Sequence, residues 1–341
     1  MTATTPGLVC AHHHLYSTLA RGMPPPAVTP TDFTEILERV WWRLDVALDL
    51  ELVRWSALLG AVEALEAGTT AIVDHHASPS AIDGSLDVIA AACAEVGVRV
   101  VCAYEVTDRH GPAGAKAGLA ENERFLRAGG PGLVGAHACF TLGDETLEAI
   151  VGLAADLGVG VHIHVGEDAV DAAAAGRLRP HAADNWLLAH CVHVDPPLAG
   201  TIAHNPRSNL NNGVGYARPA RWTAAGNRVV LGSDGIGAAM VDEFALAYVA
   251  HRADDVTATP EAAWGWLRAG AALVPEVLGD EVTWSADRVD PWYLAFTPGV
   301  RADRVVVDGE TVVEGGVCTR VDAERIRARA WEEAQRLWSR L

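Results

Sequence analysis

Short apolar runs alternate with longer alanine-rich segments along most of the chain. Eight of these runs are typical of buried strands, because they are short, apolar and bounded by turn-forming residues: GLVCAHHH, TTAIVDHH, VRVVCAYE, GLVGAHACF, VGVHIHV, WLLAHCVHV, TIAHN and RVVLGSDG. Amphipathic helices are predicted between several of them, at residues 41–67, 81–96, 117–129 and 144–158. The expected C-caps of these helices are Gly68, Gly97, Gly130 and Gly158. Eight strand–helix units predict an α/β fold in which a parallel sheet closes into a (β/α)8 barrel of the TIM type.

Polar residues follow most of the apolar runs, at the point where each predicted strand ends. They are His12 and His14, Asp74 to His76, His137, His164, His190, His204 and Asp234. Active sites of such barrels form at the C-terminal ends of the strands, so we expect the chemistry there. A dinucleotide-binding fold would instead carry a glycine-rich turn after the first strand, and this sequence has none.

The C-terminal part of the chain has a different pattern. It is helical to about residue 275 and irregular through 276–300, and then RADRVVVDGETVVEGGVC predicts a hairpin around Asp308-Gly309. A charged helix is predicted from Asp322 to Leu341. We therefore expect a barrel over residues 1–275 and a C-terminal segment over 276–341, which carries a reduced small β appendage and the terminal helix.

The overall charge limits the classes of partner. The chain has 341 residues and a net charge of −18, which argues against binding to nucleic acid or to anionic membranes. It has no apolar run long enough to span a bilayer and no signal-like start, so a cytoplasmic location is expected. The six cysteines stand singly in apolar segments, which predicts reduced, buried thiols.

Histidines and carboxylates at four strand ends point to a metal. His12 and His14 share one face of an extended strand, His164 stands three residues before Glu167, and Asp234 follows a buried strand. Such a nitrogen-rich set suits one divalent metal per chain, zinc first and iron second, that also binds a water and makes hydroxide available near neutral pH. Hydroxide attack also needs a proton-transferring carboxylate and a group that stabilises developing charge. Glu167 and His190 are the candidates for these two tasks.

Several long stretches resemble the amidohydrolase superfamily, in its triazine-hydrolase and guanine-deaminase-like branch and there the SsnA-type aminohydrolases. They are PGLVCAHHHLYSTLARGM, WWRLDVALD, GTTAIVDHHASPSAIDGSLD, AYEVTDRHG, HACFTLGDETL, HIHVGEDAVD, LLAHCVH, HNPRSNLNNGVG and LGSDGIG. The resemblance implies a barrel whose metal ligands are His12, His14, His164 and Asp234. It implies that Glu167 moves protons, that His190 polarises the substrate or orients water, and that Asn205, Ser208 and Asn209 line the pocket.

One lysine decides the number of metals expected. Superfamily members with two metals resemble this chain in fold but bridge them with a carboxylated lysine at the end of strand four. Here that strand ends in His137, a candidate for substrate contact, and the only lysine is Lys116. A mononuclear site is therefore expected. Relatives also have a larger small β-domain than this chain shows, and a homodimer is one arrangement that would cover the apolar surface so exposed.

Three functions fit the candidate residues. The first is a mononuclear metal-dependent aminohydrolase that deaminates a small-molecule nitrogen heterocycle through metal-bound hydroxide. The second is a ring-opening hydrolase of a cyclic amide or imidazolone with the same site. The third is a catalytically silent paralogue that binds a ligand without turnover, although such a protein has no need of Glu167.

Other polar and aromatic residues have plainer interpretations. His162 is expected to pack behind the site, while His75 or His76 either enters the pocket or forms hydrogen bonds behind it. Trp41 and Trp42 are interpreted as helix core or as an oligomer interface. Asp108 and Arg109 are interpreted as a buried ion pair at the exit of strand three, without a catalytic role.

Overall fold

A computed structural model describes residues 3–195 and 198–341 of the chain. Its strands are β1 (Thr4–Thr5), β2 (Leu8–His13), β3 (Thr69–His76), β4 (Arg99–Tyr104), β5 (Val134–Ala138), β6 (Val161–Val165), β7 (Leu187–His190), β8 (Thr201–His204), β9 (Val229–Leu231), β10 (Glu281–Trp284), β11 (Ala302–Val307), β12 (Glu310–Glu314) and β13 (Val317–Cys318). Its α-helices are α1 (Phe33–Ile36), α2 (Trp42–Ala47), α3 (Leu50–Glu66), α4 (Ser85–Val96), α5 (Gly111–Arg127), α6 (Asp144–Leu157), α7 (Ala169–Ala175), α8 (Pro206–Asn211), α9 (Pro219–Ala224), α10 (Met240–Asp254), α11 (Pro260–Ala269), α12 (Pro291–Phe296) and α13 (Ala323–Trp338). No helix in these described ranges is both long and apolar enough to span a lipid bilayer.

Strands β2 to β9 form a closed parallel barrel. Strands β2, β3 and β4 pair in one sheet and β5 to β9 in a second. Bridges between Val106 and Ala136 and between His13 and Asp234 join the two sheets at both edges. The predicted (β/α)8 barrel is therefore confirmed.

The junction between β4 and β5 depends on an asparagine side chain. Asn122 of α5 accepts hydrogen bonds from the backbone amides of Tyr104 and Gly135 and donates one to the Tyr104 carbonyl. A Cβ on Gly135 would lie 2.2 Å from the carbonyl oxygen of Tyr104, so only glycine permits this close approach. The Asn122 side chain thus forms hydrogen bonds with backbone groups of β4 and β5 that do not pair with each other at this point.

Two predicted helices differ from those observed. The predicted helix 41–67 is wrong as one element, because the chain is extended at Leu48 and the Asp49 side chain caps a new helix, α3, by accepting from Leu52 N at 2.9 Å. The predicted helix 117–129 begins earlier, at Gly111, with a proline in its first turn.

The predicted C-caps are mostly correct. Gly97 and Gly158 adopt left-handed backbone conformations at the ends of α4 and α6, as predicted. The prediction of Gly130 is off by one residue, because Gly129 takes the positive φ after α5.

A small antiparallel sheet in the order β1-β10-β11-β12-β13 lies beside the barrel. Its hairpin turns at Asp308 and Gly309, both with positive φ, as a tight turn between twisted strands requires. The sequence indicated this hairpin but not β1 or β10, which bring both ends of the chain into one sheet. The division of the chain at residue 275 stays a prediction.

Candidate metal centre and substrate cavity

The proposed metal ligands come together at the carboxyl end of the barrel. His12 and His14 lie at the end of β2, His164 lies in β6, and Asp234 follows β9. The Asp234 Oδ1 atom is 2.9 Å from His14 Nε2 and 3.3 Å from His12 Nε2, and His164 Nε2 is 3.2 Å from His14 Nε2. All four side chains are buried. The structure thus brings together every residue of the predicted ligand set.

The other ring nitrogen of each of the three histidines has a partner behind the site. His14 Nδ1 lies 2.5 Å from the carbonyl oxygen of His75, and His164 Nδ1 lies 2.9 Å from that of His137. His12 Nδ1 lies 2.8 Å from His162 Nε2. A carbonyl oxygen only accepts, so Nδ1 of His14 and of His164 carries the proton, and Nε2 is the atom that faces inward. This is the orientation in which proteins hold histidines for a metal.

The charge states of these groups fit a cation at their centre. Burial lowers the pKa of His12 to about 3 and that of His164 well below its usual value, so both are neutral. Burial opposes protonation of His14, but the hydrogen bond to Asp234 and the charges of Asp234 and Glu105 outweigh it and raise the His14 pKa to about 10. Positive charge is therefore stabilised at the point where Asp234 and the inward nitrogens converge. A divalent cation fits this donor set.

Glu167 and His190 face the same point from the ends of β6 and β7. His190 Nδ1 is 2.8 Å from Asn209 Oδ1, and its buried Nε2 atom has no hydrogen-bond partner and lies 3.5 Å from Glu167 Oε2. Burial raises the pKa of Glu167 to about 7, and the charge of His190 partly opposes this rise. A carboxyl group with a pKa near neutrality can both accept and donate a proton at physiological pH.

The chain matches the Amidohydrolase family over residues 3–266. It belongs to this family. A 5′-deoxyadenosine deaminase from Methanopyrus kandleri is 28% identical over 383 residues, covering 98% of this chain and 86% of the relative. A 5-methylthioadenosine/S-adenosylhomocysteine deaminase from Desulforudis audaxviator is 29% identical over 386 residues, with the same coverage of 98% and 86%.

Solved structures of other proteins are similar to this amidohydrolase in fold. An adenosine deaminase from Xanthomonas campestris with bound zinc has a TM-score of 0.84 at 20% identity, covering 99% of this chain and 86% of that one. An atrazine chlorohydrolase from Arthrobacter aurescens complexed with zinc has a TM-score of 0.79 at 24% identity, covering 98% and 88%. The resemblance to the amidohydrolase superfamily, with deaminases among the relatives, is confirmed, while the narrower triazine-hydrolase, guanine-deaminase-like and SsnA-type assignments stay predictions.

Three of the four predicted substrate contacts lie behind the amidohydrolase site instead of in its cavity. Ser208 donates to Asp234 Oδ2, and Asn209 accepts from His190. Asn205 is fully buried against Gly232. A Cβ added to Gly232 would lie 2.3 Å from the Oδ1 atom of Asn205. The reason is that Asn205 and the first turns of α8 face the barrel, so Ser208 and Asn209 contact Asp234 and His190 and do not line the cavity. His137 does line it, with Nδ1 2.8 Å from Thr141 Oγ1.

A cavity opens above these groups. It is lined by His14, Tyr16, Phe33, Leu37, Trp41, Trp42, Asp45, Glu105, Arg109, His137, Ala138, Phe140, His164, Glu167, Asp171, Asn212, Asp234 and Gly235. Trp41 and Trp42, interpreted as helix core or as an oligomer interface, pack against a small apolar cluster and also line this cavity, because the break at Leu48 lets α1 and α2 fold over the barrel mouth. Sequence reasoning also missed Asn212, whose amide lies 3.4 Å from Glu167 Oε1.

The pairing expected for Arg109 is also different. Its Nη2 atom donates to Asp45 Oδ2 at 3.0 Å, across 64 positions of sequence. Asp108 instead accepts from the Gly143 amide at 2.6 Å and from the Thr146 hydroxyl at 2.8 Å. The adjacent residues 108 and 109 therefore point to different parts of the fold, and no Asp108–Arg109 pair is present.

Glu105 is a further buried residue at the centre that the sequence analysis did not single out. Its Oε1 atom lies 3.3 Å from His14 Nδ1 and 3.5 Å from His75 Nδ1. His75 stacks on His162 with ring centroids 4.2 Å apart, so His75 belongs to the layer behind the proposed ligands. The sequence feature that could have identified Glu105 is its position directly after the apolar run of β4, since other strands of this barrel carry their candidate functional residues at the same point.

Proposed function

We propose that this amidohydrolase is a mononuclear, metal-dependent hydrolytic deaminase that acts on a nitrogen heterocycle. The observation that carries the proposal is the convergence of three inward-facing imidazoles and Asp234 on one point that Glu167 and His190 also face. The deaminases among its relatives support the same reaction class.

The proposed cofactor is one divalent ion, zinc first and iron second. His12, His14, His164 and Asp234 would hold it. When bound, such an ion acts as a Lewis acid and lowers the pKa of a water molecule toward neutrality. The chain offers no lysine for a bridging carbamate at this centre, because its single lysine, Lys116, is exposed on α5.

The protein's own groups move the protons. Glu167, with its pKa near 7, takes a proton from the attacking water and delivers it to the departing amine, which leaves as ammonia. The Nδ1–H group of His190 donates to Asn209 Oδ1. The Nε2 atom therefore accepts a hydrogen bond when the ring is neutral and donates one when the ring is protonated. In the protonated form it stabilises negative charge on the ring under attack. The bond that forms is C–O and the bond that breaks is the exocyclic C–N.

The test is ammonia release from a panel of aminated purines, pyrimidines and triazines, with metal content measured on every sample. We expect turnover of at least one member, and we expect Glu167→Gln to lower kcat by about 10²- to 10⁴-fold without losing metal. Glu148→Gln, on the exposed face of α6, is the matched control and should retain full activity.

Other outcomes would decide for the alternatives. Products that keep the amine and gain one water, seen by mass spectrometry, would replace deamination with ring opening of a cyclic amide. Ligand binding without any product from the metal-loaded protein would support the silent paralogue. The homodimer and the cytoplasmic location stay predictions.

A further inference from the structure

Three side chains form one wall of the substrate cavity, which we name the arginine wall: Trp42, Asp45 and Arg109. Arg109 donates to Asp45 at 3.0 Å, and its guanidinium carbon lies 4.5 Å from the centre of the Trp42 ring. Trp42 and Asp45 belong to α2, and Arg109 follows β4. The stacking and the ion pair hold the guanidinium in one orientation.

The arginine wall leaves three buried polar atoms without hydrogen-bond partners. They are Nε1 of Trp42, Oδ1 of Asp45 and Nε of Arg109. The side chains of Asp45 and Arg109 are only 2% and 12% exposed. Buried polar groups are normally paired, and leaving them unpaired is unfavourable. The ion pair thus presents an acceptor beside donors on one wall of the cavity, a pattern that a ligand with the complementary donor and acceptor can match.

The charge of the cavity limits the class of that ligand. Arg109 is the only lysine or arginine among the described residues that line the cavity, and Asp45 already neutralises it. Burial raises the Asp45 pKa to about 6 although Arg109 opposes the shift, so the carboxylate is ionised at neutral pH. Four other carboxyl groups line the same cavity: Glu105, Glu167, Asp171 and Asp234. The described wall therefore offers no unpaired lysine or arginine to an anionic group, whereas a neutral group with a donor beside an acceptor fits.

We propose that the arginine wall is the specificity-determining element of the site and that it binds the lactam edge of a flat heterocycle, a ring N–H next to a carbonyl. The N–H donates to the Asp45 carboxylate, and the carbonyl accepts from the Arg109 guanidinium. This inference rests on the proposed function, since it names the substrate class of the same site.

Aromatic residues connect the arginine wall to the catalytic groups. The Trp42 ring is 6.3 Å from that of His137, which is 5.5 Å from that of His164. Phe140 lies 6.1 Å from His137 on the same side of the cavity. In the proposed binding mode a planar ring lies between the wall and the metal centre, with its lactam edge at the wall and another edge facing Glu167.

The experiment uses matched pairs of probes that differ only in the lactam edge. They are cytosine against 4-aminopyrimidine and guanine against 2-aminopurine. Binding is measured by calorimetry on the metal-loaded Glu167→Gln protein, which does not need turnover. We expect at least one pair to show a preference of about tenfold or more for the lactam member, because its absence leaves buried wall atoms unpaired.

The variants test whether the preference comes from the wall. Arg109→Met and the double variant Asp45→Asn/Arg109→Met should reduce the ratio of affinities toward one, and the double variant avoids leaving a buried carboxylate unpaired. Arg43→Met, an exposed arginine of the same helix, is the control and should keep the ratio. Thermal unfolding checks that each variant is folded. A purely structural role would change stability but not the ratio.

Two results would overturn the inference. One is equal affinity for the two members of both pairs. The other is a lactam preference that survives in the folded double variant. If the preference and its loss are observed but the wild type releases no ammonia from any heterocycle, the wall assignment stands and the proposed deamination fails.

Discussion

The metal centre and the arginine wall face the same cavity but are built differently. At the centre, the ring nitrogens that face away from the site are paired to backbone or to a neighbouring ring, and the side chains come from strand ends. In the arginine wall, the side chains come from a short helix and a turn, and three polar atoms have no partner. The outer nitrogens of the centre are thus paired within the protein, while atoms that face its interior, among them His12 Nε2 and His190 Nε2, have no hydrogen-bond partner either. Reaction and selectivity are assigned to separate parts of the fold.

The largest expected effect tests the centre by removing one proposed ligand. His164→Ala should lower metal affinity by more than about 100-fold, since loss of an outer partner alone costs 10- to 100-fold. Elemental analysis of protein purified without a histidine tag measures this, and about one zinc or iron per wild-type chain is expected. His181→Ala, outside the cavity near Glu148, is the matched control. A variant that binds metal as tightly as the wild type would remove His164 from the ligand set.

A smaller effect is expected from the layer behind the centre. Asn209→Ala removes the acceptor that orients His190 and should lower kcat by about 10- to 100-fold while KM and metal content change little. Asn209→Asp keeps an acceptor at that position and should recover most of kcat. Equal losses in both variants would mean that Asn209 acts through packing and not by positioning His190.

The smallest effect concerns an ion pair remote from both regions. Asp49 caps α3 and accepts from Arg336 of α13 at 2.6 Å and from Arg340 at 2.7 Å. Partial burial disfavours the Asp49 carboxylate, but these arginines and the Leu52 amide hold its pKa well below the usual value. Its contribution to stability is therefore present above the ordinary pKa of aspartate and is lost as the pH falls through the depressed one.

Asp49→Asn keeps the cap but removes the charge. It should lower the free energy of unfolding by about 0.5–1 kcal/mol near pH 7, and the difference from wild type should vanish in acid. Urea unfolding at several pH values measures it. Asp32→Asn is the control, because Asp32 caps α1 through Glu35 N without an arginine partner among the described residues. Activity should be unchanged in both variants, and a loss in Asp49→Asn would show that the C-terminal helix influences the site.

The same two regions differ in how far the sequence predicted them. His12, His14, His164 and Asp234 follow apolar strands directly, so the strand pattern alone places them at one end of a barrel. Asp45 and Arg109 are 64 residues apart, and their pairing depends on how α1 and α2 fold over the barrel mouth after the break at Leu48. The helical pattern of apolar residues continues across Leu48, so the sequence predicted one continuous helix and gave no sign of the break.

The direction in which α8 turns its side chains explains why Ser208 and Asn209 were predicted to contact the substrate. Ser208 and Asn209 stand near strand β8, but which way α8 turns its side chains is set by contacts with Asp234 and His190 from other strands. A local pattern cannot contain that information, because it depends on residues 26 and 19 positions away.

The closure of the barrel also depends on the order in which its strands are synthesised. The first strand of the barrel, β2, meets the chain that follows its last strand, β9, where His13 and Ser233 hydrogen-bond across 220 positions of sequence. At about 5–20 residues per second, a ribosome needs roughly 10–40 s to synthesise that interval. His12 and His14 are therefore synthesised about this long before Asp234. The proposed metal centre can therefore be completed only after the last strand of the barrel has been synthesised.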